Sequence, residues 1–135
     1  IVNVDGIPYL DGGLADSVPI KHVKERGAKK IVIILTRKKG YRKEKISKAH
    51  IELYRKMYSK YPELVKTCIL RNKRYNVTMN YIDWLEEKGE IFVIRPTHRP
   101  VHRIEKDTEK LEAFYEHGYE TMEQKFNKMM KYLES

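Results

Sequence analysis

The chain has a single cysteine, Cys68, among 135 residues, so neither an intramolecular disulfide framework nor a zinc cage built on two or more thiolates is available to it. No apolar run approaches the about 18 residues that a membrane-spanning helix needs, which excludes a segment of that kind. The seven glycines are dispersed except for Gly12-Gly13, and no G-x-x-x-x-G-K-S cradle for a nucleotide phosphate occurs. His22, His50, His98, His102 and His117 form no His-Glu-x-x-His helix. His98 and His102 are close in sequence, but Arg99 and Arg103 beside them would oppose a dication, so no metal site is expected. Of Ser17, Ser47, Ser59 and Ser135, none lies within G-x-S-x-G, and a complete serine hydrolase is not encoded. No cofactor is expected.

What is present has the length of one ordinary domain, with 41% hydrophobic and 35% charged residues. Ile1-Val2-Asn3-Val4 shows neither an initiator methionine nor the basic-then-apolar order of a signal peptide, so the chain is expected to begin mid-protein. The net charge of +9 is concentrated. Residues 21–74 hold 19 Lys/Arg against four Glu, a net of +15, while residues 1–20 and 75–135 each come to −3. Such a concentration attracts nucleic acid, anionic lipid headgroups or an acidic partner, or is simply a solvated lysine-rich face.

Ile1–Val4 and Pro8–Leu10 flank Asp5-Gly6, the dipeptide suited to a tight hairpin turn. Pro19 fits the first turn of a helix that carries Ile20 and Val23 inward and stops near Gly27. Ile31-Val32-Ile33-Ile34-Leu35, five aliphatic residues without polar alternation, suits a strand buried on both faces of a parallel sheet. Residues 37–48 read as a basic connection and residues 49–90 as helices: His50, Tyr54, Met57 and Tyr61 on one face, a boundary at Pro62, then Leu64, Val65, Cys68 and Ile69. A further helix carries Tyr75, Met79, Ile82 and Leu85 to Gly89. Residues 91–96 hold a second buried strand, and residues 105–135 hold two helices, one capped by Asp107 and stopped at Gly118, the other carrying Tyr119, Met122, Phe126, Met129 and Leu133. This order indicates α/β architecture.

The most specific element is Tyr9-Leu10-Asp11-Gly12-Gly13-Leu14-Ala15-Asp16-Ser17-Val18-Pro19-Ile20: a carboxylate at a strand end, on a diglycine turn that leads into a helix. Taken alone, an Asp-Gly-Gly is most often an Asx-type turn. Here the stretch resembles the segment of bacterial patatin-like phospholipases that bears the aspartate of a Ser-Asp dyad. Lys29-Lys30-Ile31-Val32-Ile33-Ile34-Leu35-Thr36-Arg37 is similar to the strand that follows in that family, and Arg74-Tyr75-Asn76, Gly89 through Pro96 and Arg103 through Asp107 resemble a bacterial subgroup's downstream region.

The resemblance implies the C-terminal part, residues 1–135, of a three-layer α/β/α domain with a mainly parallel sheet and additional C-terminal helices. It implies Asp11 as the catalytic carboxylate and Gly12 and Gly13 as the residues shaping its turn. The nucleophilic serine and the oxyanion loop would lie upstream, so the segment alone should be inactive and its first partner is the N-terminal half of the same hydrolase domain. In the implied chemistry the aspartate accepts the serine proton directly, the serine attacks an ester carbonyl of a lipid substrate, and water hydrolyses the acyl-enzyme. No histidine is needed.

From charge alone, Arg37, Lys38, Lys39, Arg42 and Lys43 are candidates for peripheral contact with an anionic membrane surface by a cytoplasmic protein, against the plainer reading of a solvated connector. The alternative function is a non-catalytic basic α/β module that binds nucleic acid or an acidic partner, with Tyr41, Tyr54, Tyr58, Tyr61 and Tyr75 interleaving among the cations. No nucleic-acid-binding signature accompanies them, which makes nucleic acid the lesser expectation.

Overall fold

The computed structural model of the chain describes residues 1–98, 100–102 and 104–135. Arg99 and Arg103, named above as cations beside the histidines and as the start of one family-like motif, lie outside the described residues. The chain divides into two compact units, Ile1–Arg26 with Arg42–Tyr81, and Gly27–Tyr41 with Ile82–Ser135.

In the first unit, β1 (Val2–Val4) pairs antiparallel with β2 (Ile7–Tyr9), Val2 opposite Tyr9 and Val4 opposite Ile7. Asp5 and Gly6 both take positive φ, 50° and 78°, the requirement of a two-residue turn whose twist matches the strands. All six strand residues are exposed. Helix α1 (Ile20–Glu25) follows Pro19 and buries Ile20, whereas Val23 is substantially exposed, since six residues give too short a face to bury both. Helix α2 (Lys48–Met57) is capped by Ser47, whose hydroxyl accepts the His50 N–H at 3.3 Å. Met57 and Tyr61 stay exposed and α2 buries no residue, so the expected stripe is not a core face.

Helix α3 (Pro62–Glu87) begins with proline at a position whose N–H has no helical partner anyway. The sequence reading placed two helices here. The intervening Arg71-Asn72-Lys73-Arg74 is polar but holds neither proline nor glycine, so nothing breaks the backbone ladder. Up to Tyr81 the helix belongs to the first unit, where Val65, Cys68 and Met79 are buried. Asn72, Asn76 and Asn80, one turn apart, strap the basic loop to it. Asn76 accepts from the Lys43 N–H at 2.8 Å and donates to the Lys43 carbonyl at 2.9 Å, Asn72 donates to the Glu44 carbonyl at 2.9 Å, and the Arg42 Nε and Nη2 donate to Asn80 Oδ1 at 2.9 and 2.7 Å.

In the second unit, β3 (Val32–Ile34) and β4 (Phe92–Ile94) pair in parallel, Val32 opposite Phe92 and Ile34 opposite Ile94. The core comprises Ile33, Leu35, Ile82, Leu85, Ile91, Val93 and Ile94. Ile34, expected inside, is 73% exposed, because no described element covers its side of this two-stranded sheet. The Tyr132 hydroxyl joins the starts of the two strands, accepting the Ile31 N–H at 3.0 Å and donating to the Glu90 carbonyl at 2.9 Å. Tyr132 lies on α4 (Thr108–Glu134), which runs straight through Gly118. One glycine costs a helix only about 1 kcal/mol, too little to stop 27 residues with sustained helical spacing, so the expected pair of helices is one. The architecture is mixed α/β, with one antiparallel and one parallel strand pair and four helices among the described residues.

Arg95, 8% exposed at the end of β4, donates from Nη1 to Glu86 at 2.8 Å and from Nη2 to Asp83 at 2.7 Å. Removing the cation leaves two part-buried carboxylates facing each other, so Arg95→Ala should destabilise the protein by about 2–3 kcal/mol, read from urea midpoints. At the start of α4 the N–H groups of Asp107 and Lys106 hold the Glu105 carboxyl below its ordinary range, and hydrogen bonds from the Lys110 side chain and N–H do the same for Asp107. Depressed folded-state values mean that these groups stabilise above the ordinary carboxylate range and lose that contribution as pH falls through their lowered values. Asp107→Ala should therefore shrink the loss of urea resistance between pH 7 and pH 3.

Candidate functional site

Asp11 follows β2 and caps a 3-10 turn over Gly12–Leu14. One carboxylate oxygen, Oδ1, accepts the Gly13 N–H at 2.8 Å. Leu14 N–H returns to the Asp11 carbonyl at 3.0 Å, and the Ala15 and Asp16 amides both reach the Gly12 carbonyl at 3.0 Å. The Ser17 hydroxyl donates to the Gly13 carbonyl at 2.8 Å, and Asp16 Oδ1 accepts the Val18 N–H at 3.1 Å. Short polar side chains thus satisfy the backbone locally, as Asx and Ser turns do. The Asp11 side chain is exposed, and Oδ2 has no hydrogen-bond partner among the described residues.

The two glycines differ in what they contribute. Neither uses the left-handed backbone region expected of a diglycine; the positive-φ glycines are Gly6, Gly27, Gly40 and Gly89. A Cβ on Gly12 would meet nothing within 4 Å. A Cβ on Gly13 would lie 3.2 Å from Asp11 Oδ1, tight enough to displace the carboxylate. At Gly13 the lack of a side chain thus leaves room for the Asp11 carboxylate, which a Cβ would push aside by a few tenths of an ångström, and backbone freedom is not what the position uses.

Helix α3 meets this turn through Arg71, whose Nε–H donates to the Gly13 carbonyl at 3.2 Å. Arg71, Arg74, Tyr75 and Thr78 line a narrow hollow against residues 14–18. An adjoining cleft of about 440 Å³ is bordered by Lys21, Lys73 and Arg74 over Val18, Leu70 and Val77. Burial pushes the Cys68 thiol up, and the Arg71 charge partly offsets it.

The five loop cations divide between the two units. Arg37, Lys38 and Lys39 fall in the second unit, Arg42 and Lys43 in the first. Most are engaged: Arg37 lies over the Tyr41 ring at 5.1 Å, Lys39 is 3.5 Å from Glu86, Arg42 binds Asn80, and Lys43 sits over Tyr75 at 4.3 Å.

In the second unit His98 meets His117 of α4, not His102: their Nδ1 atoms are 3.0 Å apart and the rings are edge-on. The Thr97 N–H donates to His117 Nε2 at 3.1 Å, so His117 in its neutral form carries its proton on Nδ1 and donates to His98. Both line an open cleft of about 890 Å³ with Arg37, Lys110, Phe114 and Glu120. No group of three His, Cys, Asp or Glu suited to a metal ion occurs among the described residues. Sequence reasoning missed Arg71 and the His98–His117 pair, whose partners lie 58 and 19 positions away.

Residues 61–134, more than half of the chain, match a family described as a domain of unknown function, DUF6363. The chain belongs to that family. The DUF6363 segment comprises α3, β4 and α4; it contains Arg71 and His117 and leaves Asp11 outside on its N-terminal side. A stretch of 35 residues, 26% of the chain, is 49% identical to the uncharacterized protein YjjU of Escherichia coli (strain K12) and covers 10% of that protein. No solved structure matches.

The glycine geometry yields a paired test. Gly12→Ala should leave urea stability within about 0.5 kcal/mol of the parent, whereas Gly13→Ala should cost about 1 kcal/mol through strain on the Asp11 hydrogen bond. Equal effects of the two substitutions would contradict the separate roles.

Proposed function

We propose that this chain supplies the carboxylate base of a serine lipid acyl hydrolase of the patatin-like kind, whose nucleophile and oxyanion loop belong to a preceding half of the same domain. The observation that carries the reading is the asymmetry of the Asp11 carboxylate: one oxygen is tied to the Gly13 N–H, the other is open. A base needs both, a fixed orientation and a lone pair within reach of the hydroxyl it deprotonates.

In this reading Asp11 Oδ2 takes the serine proton as the serine oxygen bonds to the ester carbonyl carbon. Asp11, now a carboxylic acid, returns that proton to the departing alcohol, and the acyl group remains on the serine. A water molecule then repeats the sequence: Asp11 accepts its proton, hydroxide adds to the acyl carbon, and the serine oxygen leaves with the proton.

Val2, Val4, Ile7, Tyr9 and Leu10, all exposed on the arm that ends at Asp11, favour a surface that another part of the domain covers. The parallel β3–β4 pair, with Ile34 uncovered, is in keeping with two neighbouring strands of a larger, mainly parallel sheet in a three-layer α/β/α domain. No helix among the described residues is long and apolar enough to cross a membrane. Contact with an anionic bilayer is read as peripheral, with exposed Lys38 as the offered cation. The nucleic-acid alternative is less favoured, because Tyr41 and Tyr75 already carry a cation against their rings.

Hydrolysis of a short-chain p-nitrophenyl ester by the intact protein tests the proposal. Asp11→Asn should lower kcat by at least about 100-fold. Undiminished turnover by that variant, or turnover by residues 1–135 alone, would overturn it.

A further inference from the structure

Arg71 is a permanent cation, half-buried on α3, and none of the described carboxylates forms an ion pair with it. Its assigned partner is a backbone carbonyl, that of Gly13, at 3.2 Å. Burying an unpaired charge in this way costs stability, so the fold gains little from the arrangement as a structural device.

The location of that carbonyl gives the charge a use. Gly13 holds Asp11 through its N–H and is itself held through its C=O, by Ser17 from within the turn and by Arg71 from the helix. Ser17 is four residues from Gly13 and moves with the turn. Arg71 is 58 residues away, on a 26-residue helix whose buried face fixes it in the first unit. Of the two donors, only Arg71 ties the turn to something rigid.

We propose that Arg71 is a positioning residue for Asp11, acting through the Gly13 peptide to fix where the open carboxylate oxygen points. The proposal rests on the reading of Asp11 as the base. The turn keeps its local hydrogen bonds without Arg71, so the loss falls on the orientation of the base and not on folding or substrate binding. Lysine is long enough to donate to the same carbonyl, though through a less rigid side chain, and should substitute in part.

The test uses the intact protein, with Arg71→Met, Arg71→Lys and Asp11→Asn compared on a short-chain p-nitrophenyl ester and by amide hydrogen exchange at Gly13 and Leu14. Arg71→Met should lower kcat about tenfold or more with KM within twofold of the parent, and exchange at Gly13 and Leu14 should quicken while urea unfolding stays cooperative. Arg71→Lys should recover most of kcat. A kcat for Arg71→Met within twofold of the parent, a rise in KM in place of the fall in kcat, or no recovery by lysine would each overturn the assignment. If the parent is inactive or Asp11→Asn retains full activity, the hydrolase reading itself fails. The exchange arm then stands alone, and unchanged exchange in Arg71→Met would refute the tether as well.

Discussion

Among the described residues the Asp11 carboxylate is held by one hydrogen bond, from the Gly13 peptide group. Its N–H faces back to the side chain two residues earlier, and its carbonyl faces Ser17 and α3. A single backbone unit therefore joins a local turn, written by short polar side chains, to a long helix that the DUF6363 segment contributes. This is also why the two glycines of the motif are unequal. Only at Gly13 would a side chain intrude on the carboxylate.

The local features were legible in the sequence because their causes are local. Asp5-Gly6 supplies two residues tolerant of positive φ, Pro62 opens α3, Asp107 caps α4, and Gly89 follows the end of α3 with a φ of 70°. What misled was punctuation. Gly118 resembles a stop, yet a solitary glycine merely weakens a helix whose apolar positions continue beyond it, and the second helix expected from Tyr75 is the continuation of α3. Burial was the least legible property: an aliphatic run at 31–35 suggests an interior strand but carries no information on how many neighbours cover it, and among the described residues Ile34 stays 73% exposed. For Arg71 no sequence signal pointed to Gly13. The step of four from Asn72 to Asn76 to Asn80 was a readable stripe, and its role as a clip for residues 42–44 emerges only once their backbone is placed beside it.

The second unit solves a different problem, that of closing a two-stranded parallel sheet at both ends. At one end Tyr132 spans the strand starts through one hydroxyl, with its ring 5.9 Å from Phe92 and Lys30 above it. At the other, Arg95 takes two carboxylates from the last turns of α3. A charged pairing this enclosed adds little net stability, but it accepts one arrangement of strand against helix and penalises the rest.

The parallel register also orders events in time. Val32 and Phe92 are partners sixty positions apart, so the closure entropy of a long loop must be met before their pairing contributes anything, whereas the helices between them form from neighbours. On the ribosome, at about 5–20 residues per second, β3 emerges roughly 3–12 seconds before β4 exists. For that interval the aliphatic residues 31–35 lack their β4 partner, and the edge that β4 will occupy is open. Until β4 follows, that edge offers unpaired backbone groups to any strand that reaches it.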